Sequence, residues 1–129
     1  MSSEPILVVD DNAINLKLVR VVLAGAGFDV SAVQDAEEAI ALLDSYTPRL
    51  ILMDLQLPGM DGYELTRRLK ADARTAGIII VAVTSYAMKG DEQRAFDAGC
   101  DGYVSKPIDT EALPRIVAAH LSSQGQPTT

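Results

Sequence analysis

A doubly wound α/β fold, a three-layer sandwich with helices on both faces of a five-stranded parallel sheet, is predicted by three observations. Short apolar runs alternate along the chain with longer segments of helical period. The runs Ile6-Leu7-Val8-Val9, Leu50-Ile51-Leu52-Met53 and Ile78-Ile79-Ile80-Val81-Ala82-Val83 are apolar at every position, as strands covered on both faces must be. Single helices between successive strands favour parallel pairing through right-handed crossovers.

The first run opens the chain as a central strand, and Leu18, Val19, Val22, Leu23 and Ala26 then recur at helical spacing. Val30 to Val33 is shorter and more polar and reads as a second strand near an edge. Asp35 with Glu38 forms a capping box, and the helix it starts buries Ala36, Ala39, Ile40 and Leu43. After the third strand, Pro58-Gly59-Met60-Asp61-Gly62 is a turn in which Gly62 supplies backbone freedom, and Asp61 with Glu64 caps the next helix. A fourth helix is expected between the fourth strand and Gly102 to Ser105, the fifth, weaker strand. Asp109 caps the last helix, whose first turn accepts Pro114 because an amide there has no partner to lose. Residues 122–129 have no apolar period and read as a loose tail, so the folded domain is expected over 1–121.

A length of 129 residues matches one domain with a real core. Eleven basic against eighteen acidic residues leave a net charge of −7, which argues against nucleic acid and anionic membranes as direct partners. Cys100 has no second cysteine to pair with, and no secretory signal or membrane-length apolar run is present, so a cytoplasmic protein is expected.

In a doubly wound sheet, ligands bind beyond the carboxyl ends of the strands. There the chain places Asp10 and Asp11, then Asp54, then Thr84 and Ser85, then Lys106. A single acid after a strand serves equally as a helix cap, and a single lysine as a solvated side chain. Three acids at neighbouring strand ends, however, would repel strongly unless a proton or a cation came between them. Oxygen-only donors suit a hard divalent ion such as Mg²⁺, with Mn²⁺ as a substitute, and the lone His120 in the last helix reads as exposed and incidental. A carboxylate nucleophile beside a metal, a hydroxyl and an ammonium has the parts for phosphoryl transfer.

With Val8-Val9-Asp10-Asp11-Asn12, Met53-Asp54-Leu55-Gln56-Leu57-Pro58-Gly59-Met60-Asp61-Gly62, Val83-Thr84-Ser85 and Gly102-Tyr103-Val104-Ser105-Lys106-Pro107, the chain resembles a receiver domain of the two-component response-regulator family from about Pro5 to Leu121. The resemblance implies the flavodoxin-like strand order 2-1-3-4-5. It implies that Asp54 accepts phosphate from a histidine kinase or histidine phosphotransfer protein, with Mg²⁺ held by Asp10, Asp11, Asp54 and the backbone carbonyl of Gln56. Thr84 and Lys106 would hold the phosphoryl oxygens, Tyr103 would change rotamer as Thr84 moves, and Lys106-Pro107 would be a cis peptide. By the same resemblance Gln56 and Tyr86 border the phosphoryl group and tune its hydrolysis, with the bulk of Tyr86 hindering water. Ile14, Asn15, Pro107 and Ile108 would dock the phosphodonor, and the fourth helix, fifth strand and fifth helix would meet a downstream protein target.

The expected function is thus a stand-alone response regulator rather than an enzyme, acting as a monomer or a phosphorylation-dependent dimer. A Mg²⁺-dependent phosphohydrolase acting through an aspartyl phosphate is the main alternative. Such enzymes commonly place a second acid two residues after the nucleophile, where this chain has Gln56. A module that has kept only the fold is a third reading, at odds with the full set of Asp10, Asp11, Asp54, Thr84 and Lys106.

Overall fold

The computed structural model describes residues 4–57, 59–84, 91–106 and 108–125. Strands β1 (Pro5–Val9), β2 (Asp29–Val33), β3 (Leu50–Asp54), β4 (Ile79–Thr84) and β5 (Gly102–Ser105) alternate with helices α1 (Ala13–Gly25), α2 (Ala36–Leu43), α3 (Gly62–Ala71), α4 (Asp91–Ala98) and α5 (Leu113–Gly125). The sheet order is β2-β1-β3-β4-β5, parallel throughout.

Alternation along the central strands divides the core in two. Leu7, Val9, Ile51, Met53, Ile80 and Ala82 face α2, α3 and α4, whereas Ile6, Val8, Leu50, Leu52, Ile79, Val81 and Val83 face α1 and α5. Every residue of β3 and β4 is buried, while β2 and β5 at the edges are half-covered, which is why only the central runs are uniformly apolar. Arg94 of α4 stacks 4.1 Å above the ring of Tyr63 in α3, a cation–π contact that ties these helices together.

Several helix details differ from the sequence expectation. In α1 the buried stripe is Leu16, Val19 and Leu23, whereas Leu18 is 43% exposed and Ala26 is the exposed C-cap. At 100° per residue, Leu18 lies across the helix from the core line through Leu16 and Leu23. Ile40 likewise sits at the rim of α2, outside the buried set Ala36, Ala39 and Leu43. Glu38 donates its own amide to Asp35, but its carboxylate reaches back to the N–H of Gln34 rather than that of Asp35. Asp61 accepts from the amide of Glu64, whose side chain turns outward to Arg67 and Arg68 instead of closing a box. Asp109 accepts from Glu111 and Ala112 in a turn that precedes α5, leaving Pro114 in the first helical turn.

Gly62 is needed for proximity, not for backbone freedom. A Cβ there would run into the carbonyl oxygen of Asp54 and come within 2.8 Å of Leu55 Cα. His120 is half-buried rather than exposed, its ring lying over Gly102 where a side chain would collide with it. Helix α5 continues through Gly125 instead of ending at Leu121, since Ser122 and Gln124 extend an existing helix at little cost and no breaker precedes the glycine. Among the described residues, no helix is long and apolar enough to cross a membrane.

Candidate phosphoacceptor site

The sheet delivers its reactive side chains through the ends of its hydrogen-bond ladders. The amide of Asp10 donates to Val33 O (3.2 Å), that of Leu55, just past Asp54, to Val83 O (3.0 Å), and that of Lys106 to Thr84 O (2.7 Å). Asp10, Asp54, Thr84 and Lys106 are thereby set side by side at one end of four adjacent strands. The elements that follow turn away under their own caps. Asn12, which sequence reasoning passed over as a cap, accepts from the amides of Ile14 and Asn15 and starts α1 just after the acidic pair. Its position directly before an apolar-periodic segment was the available signal.

Asp10 and Asp54 are 4% and 2% exposed, and Asp11 stands at the rim in solvent. One carboxylate oxygen from each of the three lies within 4.8 Å of the others. Two unit charges at such a spacing repel by about 3 kcal/mol at an effective dielectric near 20. Asp10 Oδ1 accepts the amide of Asn12 (2.8 Å) and Asp54 Oδ1 that of Gln56 (2.9 Å). Lys106 Nζ bridges the remaining oxygens, Asp10 Oδ2 and Asp54 Oδ2, at 3.4 Å each. Burial pushes the Asp54 carboxyl above its ordinary range, with a further push from the Asp10 charge; the Gln56 amide and Lys106 only partly offset them.

Among the described residues, three carboxylates against one ammonium leave an excess of negative charge in a largely buried cleft. The donor set is oxygen alone, without imidazole or thiolate, and fits a hard divalent cation.

Thr84 Oγ1 accepts a 2.8 Å hydrogen bond from the side-chain amide of Gln56. Sequence reasoning had assigned Gln56 a backbone carbonyl and a tuning role; this cross-strand bond depends on the β3–β4 register and left no mark in the sequence. Tyr103 is half-buried against the core on the α4 side. Ile14 is 78% exposed on the first turn of α1, Asn15 is half-buried beside it, and Ile108 packs partly against the α1–α5 core. Pro107, the Lys106–Pro107 bond and Tyr86 lie outside the described residues, as do Ser85 and Pro58.

The response regulator receiver domain family matches residues 6–118. The polar-differentiation response regulator DivK of Brucella ovis is 40% identical over 119 residues, 92% of this chain and 97% of that protein. The DivK of Brucella anthropi is 41% identical over 116 residues, covering 90% and 94%. Among solved structures, the receiver domain of a sensor histidine kinase from Pseudomonas aeruginosa, with a magnesium ion coordinated in its active site cleft, superposes with a TM-score of 0.85 at 31% identity over 94% of this chain and 99% of that one. A CheY-like receiver domain protein from Methanospirillum hungatei gives 0.88 at 29% identity, covering 95% and 97%.

Proposed function

Because the chain belongs to the response regulator receiver family, we propose that it is a single-domain phosphorylation switch that carries its phosphoryl group on Asp54. The observation that carries this reading is the meeting of Asp10, Asp11 and Asp54 within 4.8 Å, with Lys106 bridging two of them. A phosphohistidine of a kinase or phosphotransfer protein is the donor: an Asp54 carboxylate oxygen attacks phosphorus, the N–P bond breaks, and the imidazole departs. Asp10, Asp11, Asp54 and the backbone carbonyl of Gln56 would hold Mg²⁺, which supplies positive charge for the phosphoryl oxygens. Asp54 reacts as its anion, and the 2.9 Å bond from the Gln56 amide holds one of its oxygens in place. Lys106 is already within reach of Asp54 and turns to the incoming phosphoryl group.

Thr84 exchanges its Gln56 hydrogen bond for a phosphoryl oxygen, and Tyr103, partly buried in the adjacent strand, follows. The altered face of α4, β5 and α5 then meets a protein target, so the readout is a surface and not a chemical product. The domain extends to the end of α5 and works in the cytoplasm. Ile14, Asn15, Pro107 and Ile108 receive the donor, supported by the 78% exposure of Ile14 on the site side of α1. An Ile14→Asp change should slow transfer from a donor protein yet spare acetyl phosphate; equal losses would rule docking out. Tyr86 retards attack by water, and an unchanged rate of phosphate loss in Tyr86→Ala would rule that out.

Acetyl phosphate with Mg²⁺, read by intact mass, tests the whole. One added phosphoryl group, absent in Asp54→Asn, supports the switch. Sustained turnover would instead indicate a phosphohydrolase, and no addition an inert module.

A further inference from the structure

Strand β2 is the last in the sheet on its side, and its free edge runs beside the flank of α1. The amide of Asp29 donates to Glu4 O, and Val33 O accepts from Asp10, so residues 29, 31 and 33 turn their backbone groups toward β1. By strand alternation, Val30 and Ala32 turn both N–H and C=O outward, where among the described residues no strand pairs with them. The amide of Gln34, next in line, is occupied by the Glu38 carboxylate at 2.7 Å, which ends the open ladder there.

Alongside this edge lies a groove of about 650 Å³ between α1 and β2. Leu16, Val21, Ala24 and Ala32 give it apolar walls, and Lys17 and Arg20 line its α1 side. Among the described residues, neither cation is in an ion pair, in a chain where acids outnumber bases by eighteen to eleven. Most other basic side chains here, such as Arg49, Arg67, Arg68, Lys70 and Arg74, already meet carboxylates. An open hydrogen-bonding edge asks for an extended backbone, and two unpaired cations ask for acids on it.

We infer that this groove receives an extended acidic segment of a partner protein, which adds to β2 as a sixth strand. Such a strand would lie about 4.8 Å beyond β2. Its backbone would pair with Val30 and Ala32, and the side chains on its α1 side would alternate apolar residues against Val21 and Ala24 with carboxylates against Lys17 and Arg20. The site uses none of the residues around Asp54 and stands or falls apart from the phosphoacceptor reading.

A random dodecapeptide library displayed on phage, selected on the full chain and counter-selected on the double variant Lys17→Glu/Arg20→Glu, probes it without presupposing a sequence. Far-ultraviolet circular dichroism and a cooperative urea unfolding curve of the double variant verify that it is folded. The expected winners carry acidic and apolar residues in turn at every second position, so that both fall on one face of the strand, slow hydrogen exchange at the amides of Val30 and Ala32, and bind the double variant at least about tenfold more weakly. Methylating the backbone nitrogens of a winner should abolish its binding. Failure to enrich any peptide, enrichment of basic or helical peptides, or binding that leaves the Val30 and Ala32 amides exchanging as before would each overturn the inference.

Discussion

Lys70 and Lys106 each meet an aspartate at an end of the sheet, and the two ends treat them differently. Near the start of β4, Lys70 Nζ donates to Ile78 O at 2.7 Å, Asp101 Oδ2 at 2.9 Å and Ala76 O at 3.3 Å. Asp101 Oδ2 in turn accepts the amide of Ile80 at 2.8 Å, and Gly99 lacks the Cβ that would press on the lysine stem. At the other end Lys106 is shared by two carboxylates at 3.4 Å, longer than a good charge-assisted hydrogen bond. One lysine has three acceptors in hydrogen-bonding reach and closes a corner of the fold. The other is held loosely by like charges that repel each other. A satisfied pair stabilises; an underserved one keeps capacity for a ligand.

The largest expected effect lies at the loose end. Asp54→Asn should abolish phosphoryl labelling outright, yet raise the unfolding midpoint at neutral pH without added metal. The sign follows from linkage: the folded carboxyl sits above its ordinary value, so the native state holds its proton longer than the unfolded chain does. Wild-type stability therefore falls as pH rises from the ordinary aspartate value through the raised one. The advantage of the asparagine should shrink as pH is lowered through that window, which urea titrations at several pH values would show. Lys106→Ala should slow labelling by about a hundredfold, the scale of losing one positioned charge from a phosphoryl site, as measured by initial rates with acetyl phosphate.

At the satisfied end the balance should invert. Asp101→Ala removes the counter-ion of Lys70, leaving it two carbonyl acceptors, and strands the Ile80 amide, and should cost about 2–3 kcal/mol in urea denaturation while leaving Asp54 labelling intact. Comparable losses of labelling and stability would erase the distinction between the two pairs. Magnesium should discriminate them again: at a hundred times its Kd it should stabilise the wild type by about 2.7 kcal/mol, and Asp54→Asn by much less. The smallest effect is expected at exposed Glu64, whose carboxyl is held low by hydrogen bonds from Arg68 and Arg67. Its contribution is present above the ordinary glutamate value and lost as pH falls through the lowered one. Glu64→Gln should therefore shift the thermal midpoint slightly at neutral pH and not at all in strong acid.

Most of this architecture was legible in one dimension. Uniformly apolar runs mark β1, β3 and β4, and the acids, threonine and lysine that follow the runs mark the end of the sheet where they gather. Where the reading slipped, competing partners were the cause. Leu18 and Ile40 have the residue type of a core stripe but sit outside it, because burial follows helical angle and not composition. Glu38 and Glu64 each had a better partner than the cap they were assigned to. His120 looked incidental because nothing in the local pattern announces that it covers Gly102.

Local chemistry thus decided the order of strands and helices, the segments that lie at the centre, and the side chains that stand at the strand ends. Each of those depends on residues a few positions apart, through backbone period, burial and capping. Only the folded chain decided that Gln56 holds Thr84, that Gly62 must admit the backbone of Asp54, that Lys70 has three acceptors while Lys106 is shared at longer range, and that, among the described residues, β2 leaves Val30 and Ala32 open beside two cations outside any ion pair. These are contacts between elements, set by sheet register and helix rotation, and the same local patterns are compatible with more than one outcome for them.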